Sequence, residues 1–332
     1  MKIIKNWVLS NTLIMGIQYL NTYMKRNTKE ESIKKYSLSE LYGKIIAVDT
    51  SIYLYRFLVD KALLDNMYMM IALFRYYNIT PIFVFDGKAP IEKTNILIKR
   101  KNDKLIAEKK YNELKEQLKD IEENDPGYEE LYGEMITLKK KFVRVKHDDI
   151  KKVQQLIDAF GISYIEAEGE ADILCARLVQ KKYAYACLSE DMDLFVYGCP
   201  RVLRYLSLMN QTVVMYSLDK ILKDLNLTFN EFKEICVLSG TDYNYNINNQ
   251  TGLYKTLNYF KQFKKSNTQS DFYTWVDNNT DYIPNIYELY NIYNMFECNS
   301  INLKQYKQCK NKPINKIMIE EIMKPEGFIF IN

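Results

Sequence analysis

The sequence contains very little histidine and no closely paired cysteines. His147 is the one histidine among 332 residues, and it lies in the charged stretch VRVKHDD. Catalysis by a Ser-His-Asp or Cys-His arrangement would depend on that residue, so these mechanisms are disfavoured. None of the six cysteines forms a C-x-x-C pair, which argues against a zinc ribbon or a thioredoxin-like redox site. We interpret the cysteines as reduced core residues of an intracellular protein.

Long apolar runs are absent as well. No stretch is long and apolar enough to span a bilayer, so we expect no membrane association. The first residues, MKIIKNWVLSNTLI, are interrupted by Lys5 and Asn6 and lead into no small-residue cleavage site. This pattern argues against a signal peptide and against organelle targeting. We therefore expect the protein in the nucleus or cytoplasm, or in a viral factory if the source is a virus.

The remaining composition is typical of a globular protein. Hydrophobic residues make up 47% of the chain and charged residues 27%. Frequent Tyr, Asn, Ile and Lys indicate an A+T-rich genome, such as that of a large DNA virus or a protist. The net charge of +4 does not identify a nucleic-acid-binding protein, although it permits a local basic surface.

Short apolar runs alternate with longer helical patterns from Lys44 onward. The predicted strands are Ile45–Val48, Pro81–Phe85, Ile162–Ile165 and Ala184–Leu188. The predicted helices between them are Ile52–Tyr77, Asp149–Phe160 and Ala171–Lys182. Near-continuous apolar strands separated by helices predict an α/β fold with a mostly parallel central sheet flanked by helices. After Arg201 we expect two short strands and then helices to the C-terminus.

Residues 91–146 differ from the rest of the chain. They are dense in Lys and Glu, poor in apolar runs, and broken at Asp125-Pro126-Gly127. We interpret this segment as two charged helices joined by a turn. With so little apolar surface, these helices contribute little to a common core.

Carboxylates follow the carboxyl end of every predicted strand. They are Asp49, Asp86, Glu170, Asp172, Asp191 and Asp193, and Asp242 joins them from a later segment. One acid after a strand commonly caps a helix or forms a turn, but repetition at four strands predicts a shared site at one sheet edge. Crowded carboxylates repel one another unless cations neutralise them, and oxygen ligands favour Mg²⁺, with Mn²⁺ as a substitute. Two such ions are typical of phosphodiester hydrolysis.

Two cations follow Asp86 closely. Lys93 and Arg100 are seven residues apart, which places both on one face of a helix. Beside an acidic metal site they could hold and polarise a phosphate. The alternative is that both are solvated residues of a Lys-rich helix.

Six stretches occur in a characteristic order between residues 15 and 260. They are MGIQYL (15–20), IIAVDTSIYLYRFL (45–58), FVFDGKAP (83–90), GISYIEAEGEADILCARLV (161–179), LSEDMDLFVYGCPRVLRYL (188–206) and LSGTDY (238–243). Together they resemble the flap endonuclease/XPG family of structure-specific 5′ nucleases. The resemblance implies a PIN-like nuclease core over residues 15–260, with 91–146 as a helical arch for single-stranded 5′ flaps. Residues 261–332 would form a C-terminal helical, DNA-binding extension.

The resemblance also implies roles for single residues. All seven acids would bind two Mg²⁺ ions: Asp49, Asp86, Glu170 and Asp172 the first, and Asp172, Asp191, Asp193 and Asp242 the second. The spacing of the motif excludes Glu168 from this set. Lys93 and Arg100 would be catalytic cations that also contact DNA. Further DNA contacts would be Gly16, Tyr55, whose ring would stack on a terminal base, and Gly252.

Three features depart from the family pattern. The family begins at the motif that is here Met15-Gly16-Ile17, so residues 1–14 are an extension or translation starts at Met15, which we favour. The segment after Asp242, NYNINNQTGLYKTLNYF, retains only Gly252 of a glycine-rich hairpin, which predicts weakened duplex and K⁺ binding. The tail MKPEGFIFIN lacks the glutamine of a sliding-clamp motif, so we expect no clamp recruitment through it, and a monomer.

The expected function is that of a flap endonuclease, a 5′→3′ exonuclease, or both, acting on branched DNA in replication, repair or recombination. One alternative is a non-catalytic DNA-junction scaffold, which would not require seven acids. A second is a ribonuclease with the same metal site. The sequence contains no readout of the ribose 2′-hydroxyl, so only substrate competition separates DNA from RNA.

Overall fold

The computed structural model describes residues 17–118, 128–244, 252–266, 268–297 and 312–330. Gly16, Met15 and the turn at Asp125-Pro126-Gly127 lie outside these ranges, so the predictions for them stay predictions. None of the helices in the described ranges has the length and apolarity needed to cross a membrane.

A mixed sheet forms the centre of the molecule. Its strands are β1 (Ile33–Ser37), β2 (Ile45–Asp49), β3 (Thr80–Phe85), β4 (Tyr164–Glu166), β5 (Ala186–Leu188), β6 (Arg201–Ser207) and β7 (Thr212–Ser217). They lie in the order β1-β7-β6-β5-β2-β3-β4. The five strands β6, β5, β2, β3 and β4 pair in parallel with their neighbours in this order. Strand β7 pairs antiparallel with β6 and β1. The predicted mostly parallel sheet is therefore confirmed.

Helices cover both faces of this sheet. They are α1 (Leu20–Asn27), α2 (Thr50–Val59), α3 (Leu63–Tyr76), α4 (Thr94–Gln117), α5 (Tyr128–Lys141), α6 (His147–Ala159), α7 (Ala171–Gln180), α8 (Asp193–Val196), α9 (Leu218–Leu225), α10 (Phe229–Ser239), α11 (Gly252–Lys265), α12 (Phe272–Asn279), α13 (Ile286–Met295) and α14 (Lys316–Met323). Side chains alternate along β2. Ala47 packs with α7 and α10 on one face, whereas Ile46 and Val48 pack with α3 and α6 on the other.

The structure divides one predicted helix and adds one strand. The predicted helix Ile52–Tyr77 is α2 and α3, separated where Lys61 adopts a left-handed φ of 55°. The apolar pattern continues through this break because both helices pack on the same cluster. Strand β1, with the sequence IKKYS, lacks an apolar run and was not predicted from the sequence. It forms through antiparallel pairing with β7 at the sheet edge.

The described residues between 91 and 146 include the two charged helices that the sequence predicts, α4 and α5. α4 and α5 pack on each other around a small cluster of Ala107, Leu114 and Leu138. Most of their remaining side chains are exposed. This pair of helices, together with residues 91–93 that lead into α4, is called the arch hairpin below.

The C-terminal part of the chain packs on the helices that cover the central sheet. α14 packs on α6, and Phe328 lies against Tyr68 of α3 with ring centroids 4.7 Å apart. The backbone at Lys312 passes close to Gly161, where an added Cβ would lie 2.4 Å from the Lys312 carbonyl oxygen. The predicted boundary at residue 260 falls inside α11.

Candidate active site

Three parallel strands deliver acids to one edge of the sheet. Asp49 is the last residue of β2, Asp86 follows β3, and Asp191 lies three residues beyond the end of β5. Because β5, β2 and β3 are parallel neighbours, their carboxyl ends lie side by side. Asp49, Asp191 and Asp193 are buried, with 4%, 5% and 2% of their surface exposed.

Helix α7 adds two further acids to this edge. Glu170 occupies the N-cap position and Asp172 lies in the first turn. The Ala171 N–H donates a hydrogen bond of 2.8 Å to Asp86, which ties the start of α7 to the end of β3. The pKa of Asp172 is raised by burial and by the nearby charges of Asp191 and Asp49, so these acids share one electrostatic environment.

Several oxygens of the buried carboxylates lack partners that would stabilise their charge. Burial and the charge of Asp86 raise the pKa of Asp49 to about 7. Burial, followed by repulsion from Asp191, raises the pKa of Asp193 well above its ordinary value. Both carboxylate oxygens of Asp193 and one of Asp172 have no hydrogen-bond partner. Since an unpartnered buried carboxylate is costly, this edge favours a bound cation.

Two side-chain cations reach the acids from the arch hairpin. The Lys93 ammonium lies 2.6 Å from Glu170 and 3.8 Å from Asp242. Arg100 contacts Asp242 at 2.7 Å through Nη2. Burial favours the neutral amine of Lys93, but its surroundings, including Tyr243 and Glu170, raise its pKa above the ordinary value. The structure thus brings the predicted cations to the predicted acids.

These ion pairs affect how a metal could bind. In the described ranges, no three histidine, cysteine, aspartate or glutamate side chains are grouped closely enough to enclose a metal ion. Lys93 and Arg100 already neutralise Glu170 and Asp242, so an ion must compete with them for these two ligands. The all-oxygen ligand set and the unpartnered oxygens of Asp172 and Asp193 fit a hard divalent cation.

Two residues of the site were not singled out by the sequence. The Tyr243 hydroxyl donates a 2.6 Å hydrogen bond to Glu170, and its ring lies 4.8 Å from the Lys93 ammonium. The Ser189 hydroxyl donates to Asp49 at 2.8 Å and accepts from the Asp191 N–H at 3.1 Å. Tyr243 directly follows Asp242, and Ser189 lies two residues before Asp191. This proximity to the predicted acids is the sequence signal that could have identified both residues.

The predicted DNA contacts lie in different environments. Tyr55 of α2 is half-buried, and the ammonium of Lys104 lies 4.7 Å from the centre of its ring. Gly252 is buried where α11 begins, and an added Cβ would lie 2.5 Å from the Ser239 carbonyl oxygen. Close packing of α10 and α11 therefore explains Gly252 without a DNA contact. Glu168 is exposed, whereas Glu170 points into the site.

Comparison with known families accounts for this arrangement. The XPG N-terminal domain matches residues 15–107, and the XPG I-region matches residues 161–242. The chain belongs to the flap endonuclease/XPG family. The two matched regions carry all seven acids and both cations of the site, and the arch hairpin lies largely between them.

Curated relatives support the same family. Flap endonuclease 1 of Saccharomyces cerevisiae is 30% identical over 248 residues, which are 69% of this chain and 61% of that protein. Flap endonuclease 1 of Lodderomyces elongisporus is 29% identical over 249 residues, again 69% and 61% of the two chains. The Candida tropicalis protein of the same name is 27% identical over 342 residues, 95% of this chain and 85% of that one. The chain thus spans less than two thirds of the first two relatives.

Solved structures share the fold. The catalytic core of Rad2 in complex with DNA substrate superimposes with a TM-score of 0.63 at 23% identity, covering 92% of this chain and 94% of that one. Flap endonuclease-1 from Methanococcus jannaschii gives 0.60 at 20% identity, covering 94% and 93%. Human GEN1 in complex with Holliday junction DNA gives 0.60 at 18% identity, covering 94% and 73%.

Proposed function

We propose that this protein is a metal-dependent, structure-specific 5′ nuclease that hydrolyses phosphodiester bonds at single-strand/double-strand junctions of DNA. The observation that carries the proposal is the pairing of two cations with acids at a sheet edge where further carboxylates are buried and repel one another. Membership of the flap endonuclease/XPG family supports it. Unpartnered buried carboxylates have no evident role in a scaffold that only binds DNA.

The acids divide into two overlapping sets of metal ligands. We assign Asp49, Asp86, Glu170 and Asp172 to one divalent ion, and Asp172, Asp191, Asp193 and Asp242 to the other. When bound, two Mg²⁺ or Mn²⁺ ions would supply a deprotonated water and neutralise the leaving oxygen. Ser189 keeps Asp49 and Asp191 oriented, and Tyr243 orients Glu170.

Lys93 and Arg100 hold the scissile phosphate. Their cationic groups lie among the acids at 2.6 and 2.7 Å from Glu170 and Asp242. A phosphate would compete with these carboxylates for the two cations, so substrate exchanges one set of ion pairs for another. In a buried site such charge-assisted contacts favour the charge that develops on the phosphoryl oxygens.

The arch hairpin and Tyr55 contact the DNA strand. The Lys104 ammonium, on the same helix as Arg100, covers one face of the Tyr55 ring at 4.7 Å. A terminal base that stacks on this face displaces Lys104, whose charge then becomes available to a phosphate. Stacking does not depend on base identity, as a structure-specific enzyme requires.

Cleavage of an end-labelled double-flap DNA tests the proposal. We expect cutting near the junction with Mg²⁺, 5′-phosphate on the products, and no cutting with EDTA. Glu170→Gln should abolish cleavage while DNA binding persists. Glu168→Gln is the matched control, because Glu168 is exposed in the same loop, and it should cleave as the wild type does.

Other outcomes identify the alternatives. DNA that is bound but never cut, with either Mg²⁺ or Mn²⁺, would favour the junction-binding scaffold. Preferential cleavage of RNA in a competition assay would favour a ribonuclease. Release of mononucleotides, rather than a flap-length fragment, would show that exonuclease action predominates.

A further inference from the structure

The loop that joins β5 to α8 carries Asp191 and ends at Asp193, the first residue of α8. Its backbone is tied to the sheet at Ser189, whose N–H donates to the Leu203 carbonyl oxygen of β6 at 3.1 Å. On its inner side, Ser189 donates to Asp49 at 2.8 Å, and the Asp193 N–H donates to Asp191 at 2.8 Å. The first contact reaches Asp49 of β2, and the second joins Asp193 to Asp191. Both involve acids of the site. Repulsion among those acids would push the loop outward unless another element holds its outer side.

Arg204 of β6 holds the outer side of this loop. Its guanidinium is buried, with 5% of the residue exposed. Nη2 donates to the Glu190 carbonyl oxygen at 2.9 Å, and Nη1 lies 2.8 Å from the Met192 sulfur. Arg204 therefore contacts the residues on both sides of Asp191, and one of them, Met192, separates the candidate metal ligands Asp191 and Asp193.

A bulge in β6 supplies the second contact. The pairing of β6 with β7 shifts register between Arg204 and Ser207, and Tyr205 adopts a left-handed φ of 57°. This conformation directs the Tyr205 N–H to the Glu190 carboxylate at 2.6 Å. The other carboxylate oxygen of Glu190 faces Arg204 Nε at 3.5 Å. A bulky residue with positive φ is strained, and such strain persists mainly where the surroundings require it.

Helix α1 completes the arrangement through Asn21. Its amide oxygen accepts hydrogen bonds from Arg204 at 3.0 Å and from the Tyr216 hydroxyl at 2.8 Å. Its amide nitrogen donates to the Tyr205 hydroxyl at 2.7 Å. These contacts come from α1, β6 and β7, whereas Lys93 and Arg100 pair with Glu170 and Asp242.

We propose that Arg204, together with Glu190 and Asn21, is a positioning group that fixes the Asp191–Asp193 loop for metal binding. The proposal rests on the proposed two-metal nuclease function. Groups that orient metal ligands typically change metal affinity by about 10- to 100-fold when they are removed. Arg204 would touch neither substrate nor metal, so its effect reaches the reaction through the geometry of the acids.

Metal binding by the Arg204→Ala and Arg204→Lys variants tests this role. We would measure Mn²⁺ affinity by electron paramagnetic resonance without DNA, and the Mg²⁺ concentration for half-maximal flap cleavage. We expect Arg204→Ala to weaken both by about 10-fold or more. Arg204→Lys should recover part of the loss, because it restores the charge but not the two-pronged hydrogen bonding.

Arg201→Ala is the matched control. Arg201 lies three residues earlier on β6 and is bound to the Tyr185 carbonyl oxygen at 2.6 Å, away from the loop. Its removal should lower thermal stability without changing the metal affinity. Equal Mn²⁺ affinity for Arg204→Ala, Arg201→Ala and wild type would overturn the positioning role.

Different results would overturn the proposed nuclease function and the positioning role of Arg204. A wild-type protein that neither binds Mn²⁺ nor cuts DNA would overturn the proposed function, and the positioning role with it. A wild type that does both, beside Arg204 variants of unchanged affinity, would overturn the positioning role alone. If Arg204→Ala does not fold, Arg204→Lys and Asn21→Ala decide the question by the same affinity measurement.

Discussion

The acidic sheet edge and the arch hairpin are built in opposite ways. Asp49 at the end of β2 and Asp193 at the start of α8 are buried on elements that a continuous core holds in place. The arch hairpin has only a small cluster of its own, around Leu114 and Leu138. Its base is attached to the site chiefly by Lys93 and Arg100, through the acids themselves. The core therefore determines where the acids lie, and the acids determine where the base of the arch lies.

An exposed ion pair of the arch hairpin contrasts with a largely buried ion pair at the sheet edge. Lys110 and Glu134 join α4 to α5 across exposed surface, where such pairs contribute about 0–1 kcal/mol. Lys93 and Glu170 pair where little water reaches them, with 9% and 14% of their side chains exposed. Breaking a buried pair leaves a charge without a partner, so changes near the sheet edge should have larger effects than equal changes in the arch.

The largest expected effect comes from neutralising an acid of the sheet edge. Asp193→Asn should reduce cleavage by about 10³-fold or more, as expected when a group that stabilises the transition state is lost. The same change should raise the thermal stability of the metal-free protein, because both Asp193 carboxylate oxygens are buried without partners. Kinetics and metal-free calorimetry together test this. Lower metal-free stability in the variant would contradict the view that the acids repel one another.

The second-largest effect is expected at Lys93 and is measured against Lys109, another lysine of residues 91–146. Lys93→Met should lower the cleavage rate by about 10²- to 10³-fold, because Lys93 is buried among the acids. Lys109→Met should change it little, since Lys109 has 82% of its side chain exposed and pairs with Glu113 on its own helix. Single-turnover rates on one flap substrate decide the matter. Similar losses in both variants would mean that the whole arch acts as a diffuse positive surface.

Two glycines test the packing of the two regions. Gly252→Ala should destabilise the protein by about 1–3 kcal/mol, because the added Cβ would lie 2.5 Å from the Ser239 carbonyl oxygen. Gly133→Ala, within α5 and with open space around it, should stabilise by up to about 1 kcal/mol through helix propensity. Denaturant unfolding measures both. Changes of opposite sign in the free energy of unfolding would confirm that the core is tightly packed at Gly252, whereas the arch hairpin is open at Gly133.

The smallest effect concerns pH. The pKa of Asp49 rises from 3.8 to about 7 on folding, so between these values the folded protein keeps a proton that the unfolded chain has lost. Metal-free stability should therefore fall as pH rises through this range. Bound Mg²⁺ offsets the repulsion, so its stabilising effect should be larger by on the order of 5 °C at about pH 8 than at about pH 5. An equal shift in melting temperature at both pH values would exclude this linkage, and Asp49→Asn should reduce the difference.

The sequence predicted the parallel part of the fold because its strands are buried on both faces and read as apolar runs. It predicted six of the seven acids because they follow such runs, and Asp242 because it follows an apolar helix. It did not predict β1, whose residues IKKYS become a strand only through pairing with β7. Nor did it predict the break at Lys61, because α2 and α3 bury the same kind of surface on the same cluster.

By itself, the sequence determined which residue types are available and that seven acids follow apolar segments. Only the tertiary structure decided that Lys93 pairs with Glu170 and Arg100 with Asp242, 77 and 142 positions away in the chain. It also decided that Arg204 and Asn21 hold the loop of Asp191 from behind. Periodicity and spacing report local conformation, whereas these contacts depend on how distant elements pack, which no local pattern records.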